Sequence, residues 1–165
     1  KRWNGSQRNF LLFFLAQALF VVVFSLPFWV AAHNPVANWT LWTTSAVLVW
    51  LVSVVGESTA DRQLSAHRNN PANKGKTCRS GLWRYSRHPN YFFEWLHWFT
   101  YVFLAIGLGT GWVAASLVGP AVMLVFLYRV TGIPYTEAQA LRSRGEDYAD
   151  YQRTTSAFIP LPPKR

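Results

Sequence analysis

The sequence predicts an all-α integral membrane bundle with four transmembrane helices and an amphipathic cytoplasmic helix near the C-terminus. Hydrophobic residues make up 51% of the 165 positions, and they come in long blocks from which charge is largely excluded. These blocks approach the roughly 20 apolar residues that a helix needs to cross about 30 Å of hydrocarbon. We place the four predicted spans at residues 10–32, 39–56, 91–108 and 112–130.

The first block carries no charged residue between Phe10 and Ala32, and Pro27 within it is expected to kink the helix. A cleaved secretory signal is excluded, because the apolar run is too long and no small-residue cleavage site follows it. The chain begins at Lys1, and its one methionine is Met123. We therefore expect a single membrane domain, residues 1–165, that forms the C-terminal part of a longer multi-span protein.

The basic residues predict the orientation. Fifteen of the sixteen lysines and arginines lie before the first span, between the second and third spans, or after the fourth, and Arg129 lies at the C-terminal end of the fourth. The loops at residues 32–38 and 107–111 contain none. The positive-inside rule then places both termini and the middle loop in the cytoplasm. A net charge of +9 does not indicate nucleic-acid binding here, because the aromatic residues lie in the spans. Attraction to anionic membrane lipid explains most of the charge.

Outside the spans, the second helix is expected to continue to about Arg68, because no breaker follows Gly56. Residues 69–75 contain Asn-Asn-Pro and Lys-Gly and predict a loop. Residues 135–151 predict the amphipathic helix, interrupted at Gly145. The apolar tail from Phe158 to Pro163 is predicted to be extended and to pack against the protein or the lipid surface.

The densest polar cluster occupies residues 80–94. Pro89 favours the first turn of a helix, so we predict that the third span begins there with His88 near the cap. The start of a helix carries unpaired N–H groups and a partial positive charge, and Arg84 and Arg87 lie beside it in the sequence. This combination is typical of a site for phosphate or carboxylate. Helix capping combined with contact to lipid headgroups is an equally good interpretation of the same residues.

Carboxylates within or beside a span are the second functional signal. Glu94 shares one predicted helical face with three other polar residues at spacings of three and four: Asn90, His97 and Tyr101. An intramembrane carboxylate is costly and indicates function, whereas a lone histidine such as His97 is as well explained by a bond to a neighbouring helix. Glu57 and Asp61 repeat the spacing at the end of the second span. Because like charges four residues apart repel, we expect a polar ligand, Arg84 or Arg87 opposite them.

Several other chemistries lack a motif in this sequence. Cys78 is the one cysteine, which leaves no disulfide framework and no cysteine metal cluster. His88 and His97 are too far apart along one helix to bind a metal together. The sequence also has no glycine-rich phosphate loop and no dinucleotide-binding glycine motif. We therefore predict no metal site.

The run from Gly81 to Glu94 resembles the signature of the steroid 5-alpha-reductase C-terminal domain family, and more closely its bacterial uncharacterised branch. Further elements follow the same pattern, in the same order, between residues 56 and 160: Ala60-Asp61-Arg62-Gln63, Glu137, Arg144-Gly-Glu-Asp-Tyr148 and Phe158-Ile-Pro160. The isoprenylcysteine carboxyl methyltransferases share the Arg-His-Pro-x-Tyr core and the later glutamate, so this core does not separate the two groups.

The resemblance implies NADPH in a cavity open to the cytoplasm and reduction of an activated carbon–carbon double bond in a lipid enone. By position, Asn90 and Glu94 would hold the nicotinamide carboxamide, and Asp61 and Arg68 would line the adenosine-phosphate side. The remaining candidate cofactor-binding residues are Arg79, Arg87, His88 and Tyr91. The family's proton donors lie upstream of this region, so we expect this chain to supply the cofactor half of the site.

The sequence departs from the reductase pattern at two places. Glu57 stands where the steroid reductases have asparagine, and Glu137 and Leu141 occupy the place of a histidine-rich stretch. An S-adenosylmethionine-dependent methyltransferase of a lipid-like acceptor therefore remains the alternative. A non-catalytic scaffold is disfavoured by Glu94. We expect a protein of the bacterial inner membrane, with a hydrophobic small-molecule substrate, lipid contacts, and a site that faces the cytoplasm.

Overall fold

The computed structural model describes residues 6–34, 39–130 and 132–164, and within these ranges it contains helices and turns but no β-strand. The predicted all-α membrane bundle is confirmed. The basic residues Lys1, Arg2 and Arg165 lie outside the described residues, as do positions 35–38 of the first predicted loop. The described α-helices are α1 (Gln7–Ala32), α2 (Leu41–Asn69), α3 (Pro89–His97), α4 (Phe99–Ala105), α5 (Thr110–Ser116), α6 (Val118–Val125), α7 (Ile133–Arg144) and α8 (Glu146–Thr154).

The first two helices begin at side-chain caps, in which a hydroxyl oxygen accepts a backbone N–H of the first turn. Ser6 caps α1 in this way, and Thr40 caps α2 by accepting from the N–H of Thr43 at 3.2 Å. Helix α1 matches the first predicted span and continues through Pro27. Helix α2 runs well past its apolar half, which confirms the predicted helical extension beyond Gly56.

Three helical segments are long and apolar enough to cross a membrane: Gln7–Ala32, Leu41–Asn69 and the run Thr110–Arg144. The apolar part of the third segment ends in a π-helical turn, Phe126–Val130, after which the polar helix α7 begins. The third predicted span, residues 91–108, consists of α3 and α4, separated by Trp98 in a helical conformation. Each of these two helices is shorter than a membrane crossing requires.

Small residues determine where the helices approach one another. A Cβ placed at Gly56 of α2 would collide with the ring of Phe93 on α3. A Cβ at Gly119 of α6 would lie 2.6 Å from the ring of Trp98 and 2.9 Å from Pro27 of α1. Close contact at glycine is typical of helix packing within membranes, where backbone proximity increases van der Waals contact.

The C-terminal segment folds back onto the start of α3. Gly145, with φ of 54°, separates α7 from α8 at the predicted interruption. The extended tail is held by a hydrogen bond of 2.7 Å from the hydroxyl of Ser86 to the carbonyl oxygen of Phe158. The Phe158 side chain is 3% exposed and packs against Phe92 and Trp95. The predicted packing of the tail against the protein is confirmed.

Candidate functional site

The end of α2 is bound to the segment that precedes α3. The side-chain oxygen of Gln63 accepts the backbone N–H of Leu82 at 2.8 Å, and the Trp83 indole donates to the carbonyl oxygen of Ala60 at 2.9 Å. Gly81 has φ of +60°, and its Cα packs directly against the Gln63 side chain, where a larger residue would collide. These contacts fix Asp61, between the two bonded positions, against the start of α3.

Helix α3 begins as the sequence predicts, with His88 at the N-cap and Pro89 in the first turn. The backbone N–H of His88 donates to the hydroxyl of Ser86 at 3.1 Å. The His88 ring stacks on the Tyr91 ring with centroids 5.3 Å apart and an angle of 5° between the planes. The imidazole and phenol rings are therefore held parallel at the base of the helix.

Two basic residues at this helix start have a common acidic partner, Glu137 of α7. Arg87 Nε donates to Glu137 Oε1 at 2.7 Å, and His88 Nε2 lies 3.3 Å from the same oxygen. Arg87 also donates to the carbonyl oxygens of Gln152 and Thr155, at 2.8 Å each. Arg87 and His88 therefore join α7 and α8 to the start of α3.

The position of Glu137 is electrostatically favourable for an ionised carboxylate. Burial raises the pKa of Glu137, but hydrogen bonds from His88, Arg87 and Gln152 outweigh it and lower the pKa to about 2. The Gln152 amide donates to the second carboxylate oxygen at 2.8 Å. Each oxygen of the buried carboxylate thus has a donor, which offsets the cost of its burial.

A polar cavity of about 360 Å³ opens between α2, α3 and α7. Its wall includes Asp61 and Arg68 from α2, Asn90 from α3, and Gln139 and Arg144 from α7. The Arg144 guanidinium lies over the Tyr148 ring, 5.2 Å from its centroid. Among the described residues neither Arg68 nor Arg144 forms an ion pair, so both charges are available to an anion.

Asn90 joins the α2 and α3 walls of this cavity. Its side-chain nitrogen donates to Asp61 Oδ1 at 3.1 Å. Its side-chain oxygen is buried and has no hydrogen-bond partner in the described structure. A buried acceptor without a donor is costly, so the arrangement favours a ligand that supplies an N–H or O–H at this point.

A second, mainly apolar cavity of about 380 Å³ adjoins the first. Phe24 of α1 and Phe126 of the π-helical turn contribute to its wall, together with Glu94 and Tyr91 of α3. Tyr91 lines both cavities. Single π-helical turns occur frequently at functional sites, and here the turn shapes the apolar cavity. The two cavities therefore meet at one tyrosine.

The structure brings most of the predicted site residues together. The first cavity is lined by Asp61, Arg68, Arg87, His88, Asn90 and Tyr91, and the second by Tyr91 and Glu94. Arg79 lines neither of them. It forms ion pairs with Asp147 at 3.1 Å and Asp150 at 2.8 Å, and it also donates to the Asp147 carbonyl oxygen. Arg79 therefore links the loop after α2 to helix α8.

The acidic residues of α2 do not meet Arg84 or Arg87, which were the protein partners expected for them. The recorded partner of Asp61 is the neutral amide of Asn90, and Arg87 is bound to Glu137. The sequence could not show this, because the pairing depends on α7 folding back over Arg87. Within the described residues, no group of three histidine, cysteine or acidic side chains is placed to hold a metal ion.

Sequence reasoning missed the contribution of α7 to the first cavity. Besides Ala140, four of its polar side chains line the wall: Thr136, Gln139, Ser143 and Arg144. Their spacing of three, four and one along a predicted amphipathic helix was a usable signal, because residues three and four apart share a face. The family resemblance had marked Glu137, Leu141 and Arg144 on this helix without assigning any of them to the cofactor, and Glu137 points toward Arg87.

One family model, described as Protein of unknown function (DUF1295), matches residues 1–155. The matched residues include all three segments long and apolar enough to cross a membrane, and also helix α8. No curated protein and no solved structure matches the chain.

Proposed function

The chain belongs to the family described as Protein of unknown function (DUF1295), and from that premise we propose that it is a membrane-embedded NADPH-dependent reductase similar to the steroid 5-alpha-reductases. The proposed reaction reduces an activated carbon–carbon double bond in a hydrophobic substrate such as a steroid or another lipid enone. The chain would supply the cofactor-binding half of the site. The single observation that carries the proposal is the meeting of a polar and an apolar cavity at Tyr91.

The polar cavity suits the phosphate-bearing part of NADPH. Arg68 and Arg144 line it without an ion-pair partner among the described residues. Guanidinium groups bind phosphate oxygens through two parallel hydrogen bonds, which gives both affinity and geometry. Arg79, Arg87 and His88 are engaged by acidic residues of α7 and α8, so we assign them to the scaffold of the site.

The wall between the cavities suits the carboxamide of the nicotinamide. The unpartnered side-chain oxygen of Asn90 would accept one carboxamide N–H, and Glu94, one helical turn further along α3, would accept the other. Asp61 fixes the Asn90 amide in the orientation that leaves this oxygen free. When bound, NADPH supplies a hydride to the double bond. The residues of this chain bind and orient it and exclude water with the aromatic wall of the second cavity.

The location of the site supports a substrate that is delivered from the membrane. The apolar cavity is formed by α1, α3, α6 and the π-helical turn, and all of these except α3 belong to segments long and apolar enough to cross a membrane. The polar cavity lies at the end of the bundle that carries the basic residues. We propose that this end faces the cytoplasm of a bacterial cell, where NADPH is present, with the inner membrane as the site of residence.

A methyltransferase that uses S-adenosylmethionine is the second candidate, and one observation favours it. The carboxylates of Glu57, Asp61 and Glu94 lie close enough together to interact, and they would suit a sulfonium cation. S-adenosylmethionine carries no phosphate, however, and its single carboxylate would engage only one of the two arginines Arg68 and Arg144. The two unpaired arginines therefore favour the reductase.

Turnover separates the two candidates. The purified protein, together with the upstream segment expected to carry the proton donors, would be supplied in phospholipid vesicles with NADPH and a panel of steroid and isoprenoid enones. In parallel it would be supplied with S-adenosylmethionine and lipid acceptors. We expect enone-dependent oxidation of NADPH that is lost in Glu94→Leu and retained in Glu146→Leu, a matched change on the exposed face of α8. Methyl transfer without NADPH oxidation would contradict the reductase.

A further inference from the structure

An acidic cluster forms where α2 crosses α3. Gly56 and Phe93 are in contact at the crossing, and the next residue on each helix is a glutamate, Glu57 and Glu94. Both are half-buried, and the Glu94 carboxylate interacts electrostatically with those of Glu57 and Asp61. Glu57 and Asp61, one turn apart on α2, also interact with each other. Three carboxyl groups are thus held together by the packing of two helices.

No cation of the described residues neutralises this cluster. The ion pairs of the described structure join Arg79, Arg87, His88 and Arg153 to acidic residues of α7 and α8. The one hydrogen bond that the structure records to the cluster comes from the neutral amide of Asn90. The remaining oxygen of that amide is buried without a donor beside the cluster, and it adds a negative dipole end. The whole arrangement favours a positively charged group.

The cluster borders the point where the two cavities meet. Asp61 lines the polar cavity and Glu94 the apolar one, and both carboxylates interact electrostatically with Tyr91, which lines both. The free arginines, Arg68 and Arg144, line the polar cavity alone. The site therefore offers positive charge to one part of a ligand and negative charge to another part. A nicotinamide nucleotide in its oxidised form has this distribution, with anionic phosphates and a cationic ring.

We infer that the Glu57–Asp61–Glu94 cluster makes the site bind the oxidised, cationic nicotinamide ring in preference to the reduced, neutral one. The inference rests on the proposed function and assigns to these three residues the preference of the site for one redox form of the cofactor. A site that stabilises the cationic ring favours delivery of hydride to the substrate over its return. Interactions between charges are strong here because the cluster lies at the edge of the apolar part of the bundle.

Substitution of Glu57 tests the effect of charge on the nicotinamide ring separately from direct contact with the cofactor. Glu57 lines neither of the two cavities, so it acts on the ring through its charge and through Glu94. Glu57→Gln keeps the size of the side chain and removes the charge. Glu146→Gln on α8 is the matched control, because it removes an exposed carboxylate whose partner is Arg153.

The experiment measures the dissociation constants of NADPH and NADP⁺ by titration of the purified protein in detergent at about pH 8, where ordinary carboxylates are ionised. We expect the ratio of the NADPH constant to the NADP⁺ constant to fall roughly three- to tenfold in Glu57→Gln. The ratio should not change in Glu146→Gln. A melting temperature recorded in parallel confirms folding, and Glu57→Asn provides the same loss of charge if Glu57→Gln does not fold.

The outcomes distinguish this inference from the proposed function. If both nucleotides bind and the ratio is unchanged in Glu57→Gln, or changes equally in Glu146→Gln, the inference is wrong and the reductase proposal stands. If the wild-type protein binds neither nucleotide, or binds S-adenosylmethionine in their place, both are wrong.

Discussion

The side chain of Asn90 donates a hydrogen bond from α3 to Asp61 on α2, with a nitrogen–oxygen distance of 3.1 Å. The bond fixes the amide and leaves its oxygen buried and unpartnered. It forms close to the place where Gly56 lets the Phe93 ring approach the α2 backbone. The geometry of the proposed cofactor wall therefore depends on the contact between these two helices.

Substitution of Gly56 by alanine should disturb both packing and binding. The added Cβ would collide with the Phe93 ring, and overpacking of this kind costs about 1–3 kcal/mol of stability. We expect a lower melting temperature in detergent and weaker NADPH binding, because α2 must move away from Asn90 and Glu94.

Gly111→Ala in α5 is the control for this substitution. A Cβ at Gly111 meets no atom within 4 Å, so the melting temperature should stay the same or rise slightly. Equal effects of the two substitutions would mean that the α2–α3 contact has no special role.

Arg144→Gln should weaken binding of NADPH more than binding of NADH. Arg144 lines the polar cavity and has no acidic partner among the described residues, so we assign it to the phosphate that distinguishes the two nucleotides. A charge-assisted hydrogen bond contributes about 1.5–3 kcal/mol, which corresponds to a loss of affinity of roughly tenfold or more. Arg142→Gln, an exposed position on the same helix that lines neither cavity, should bind both nucleotides like the wild type.

Periodicity and caps predicted most of the fold. The apolar run after Phe10 gave the bounds of α1 closely, and Pro89 identified the start of α3, because these signals are local. The third predicted span is divided at Trp98, although no helix-breaking residue lies there in the sequence. The division occurs where the Trp98 ring packs against the backbone at Gly119, and this contact between distant segments is invisible in a periodic pattern.

The site was predictable in part for the same reason. Asn90, Tyr91 and Glu94 lie on one short helix, so their proximity follows from spacing alone. The engagement of Arg79 by Asp147 and Asp150, and of Arg87 by Glu137, requires α7 and α8 to fold back. Hydropathy does not predict that α7 and α8 pack against the start of α3. From the sequence alone, Arg79 and Arg87 were therefore as good candidates for ligand binding as Arg68.

Glu137→Gln should destabilise the protein in a way that depends on pH. Hydrogen bonds from His88, Arg87 and Gln152 outweigh burial and lower the Glu137 pKa from its ordinary value of 4.5 to about 2. Its stabilising contribution is therefore present above about 4.5 and is lost as the pH falls toward about 2. At neutral pH the variant leaves Arg87 without its counter-ion, which should cost about 3 kcal/mol.

The measurement for Glu137 is the difference in melting temperature between wild type and variant at several pH values. The difference should be largest near neutral pH and should shrink as the pH falls below about 4. Effects of the other carboxylates largely cancel in this difference. A difference that is independent of pH would show that Glu137 acts through shape alone.

Glu94→Gln should weaken NADPH binding with little loss of stability. The change keeps the shape but replaces an ionised acceptor by a weaker neutral one, so affinity should fall roughly tenfold. The NADPH affinity of Glu94→Leu should fall further, because this change leaves the carboxamide donor unpaired. Removal of a half-buried carboxylate from a membrane helix relieves a cost, and the melting temperature should not drop. Unchanged affinity beside a large loss of stability would make Glu94 a structural residue.

The most direct test of the proposed function is the ligand preference of the wild-type protein. Titration of the purified protein with NADPH, NADH and S-adenosylmethionine under identical conditions compares the three ligands on one site. We predict that NADPH binds most tightly, NADH more weakly for lack of the phosphate that Arg68 and Arg144 would bind, and S-adenosylmethionine weakest. Preferential binding of S-adenosylmethionine would contradict the reductase and identify the protein as a methyltransferase.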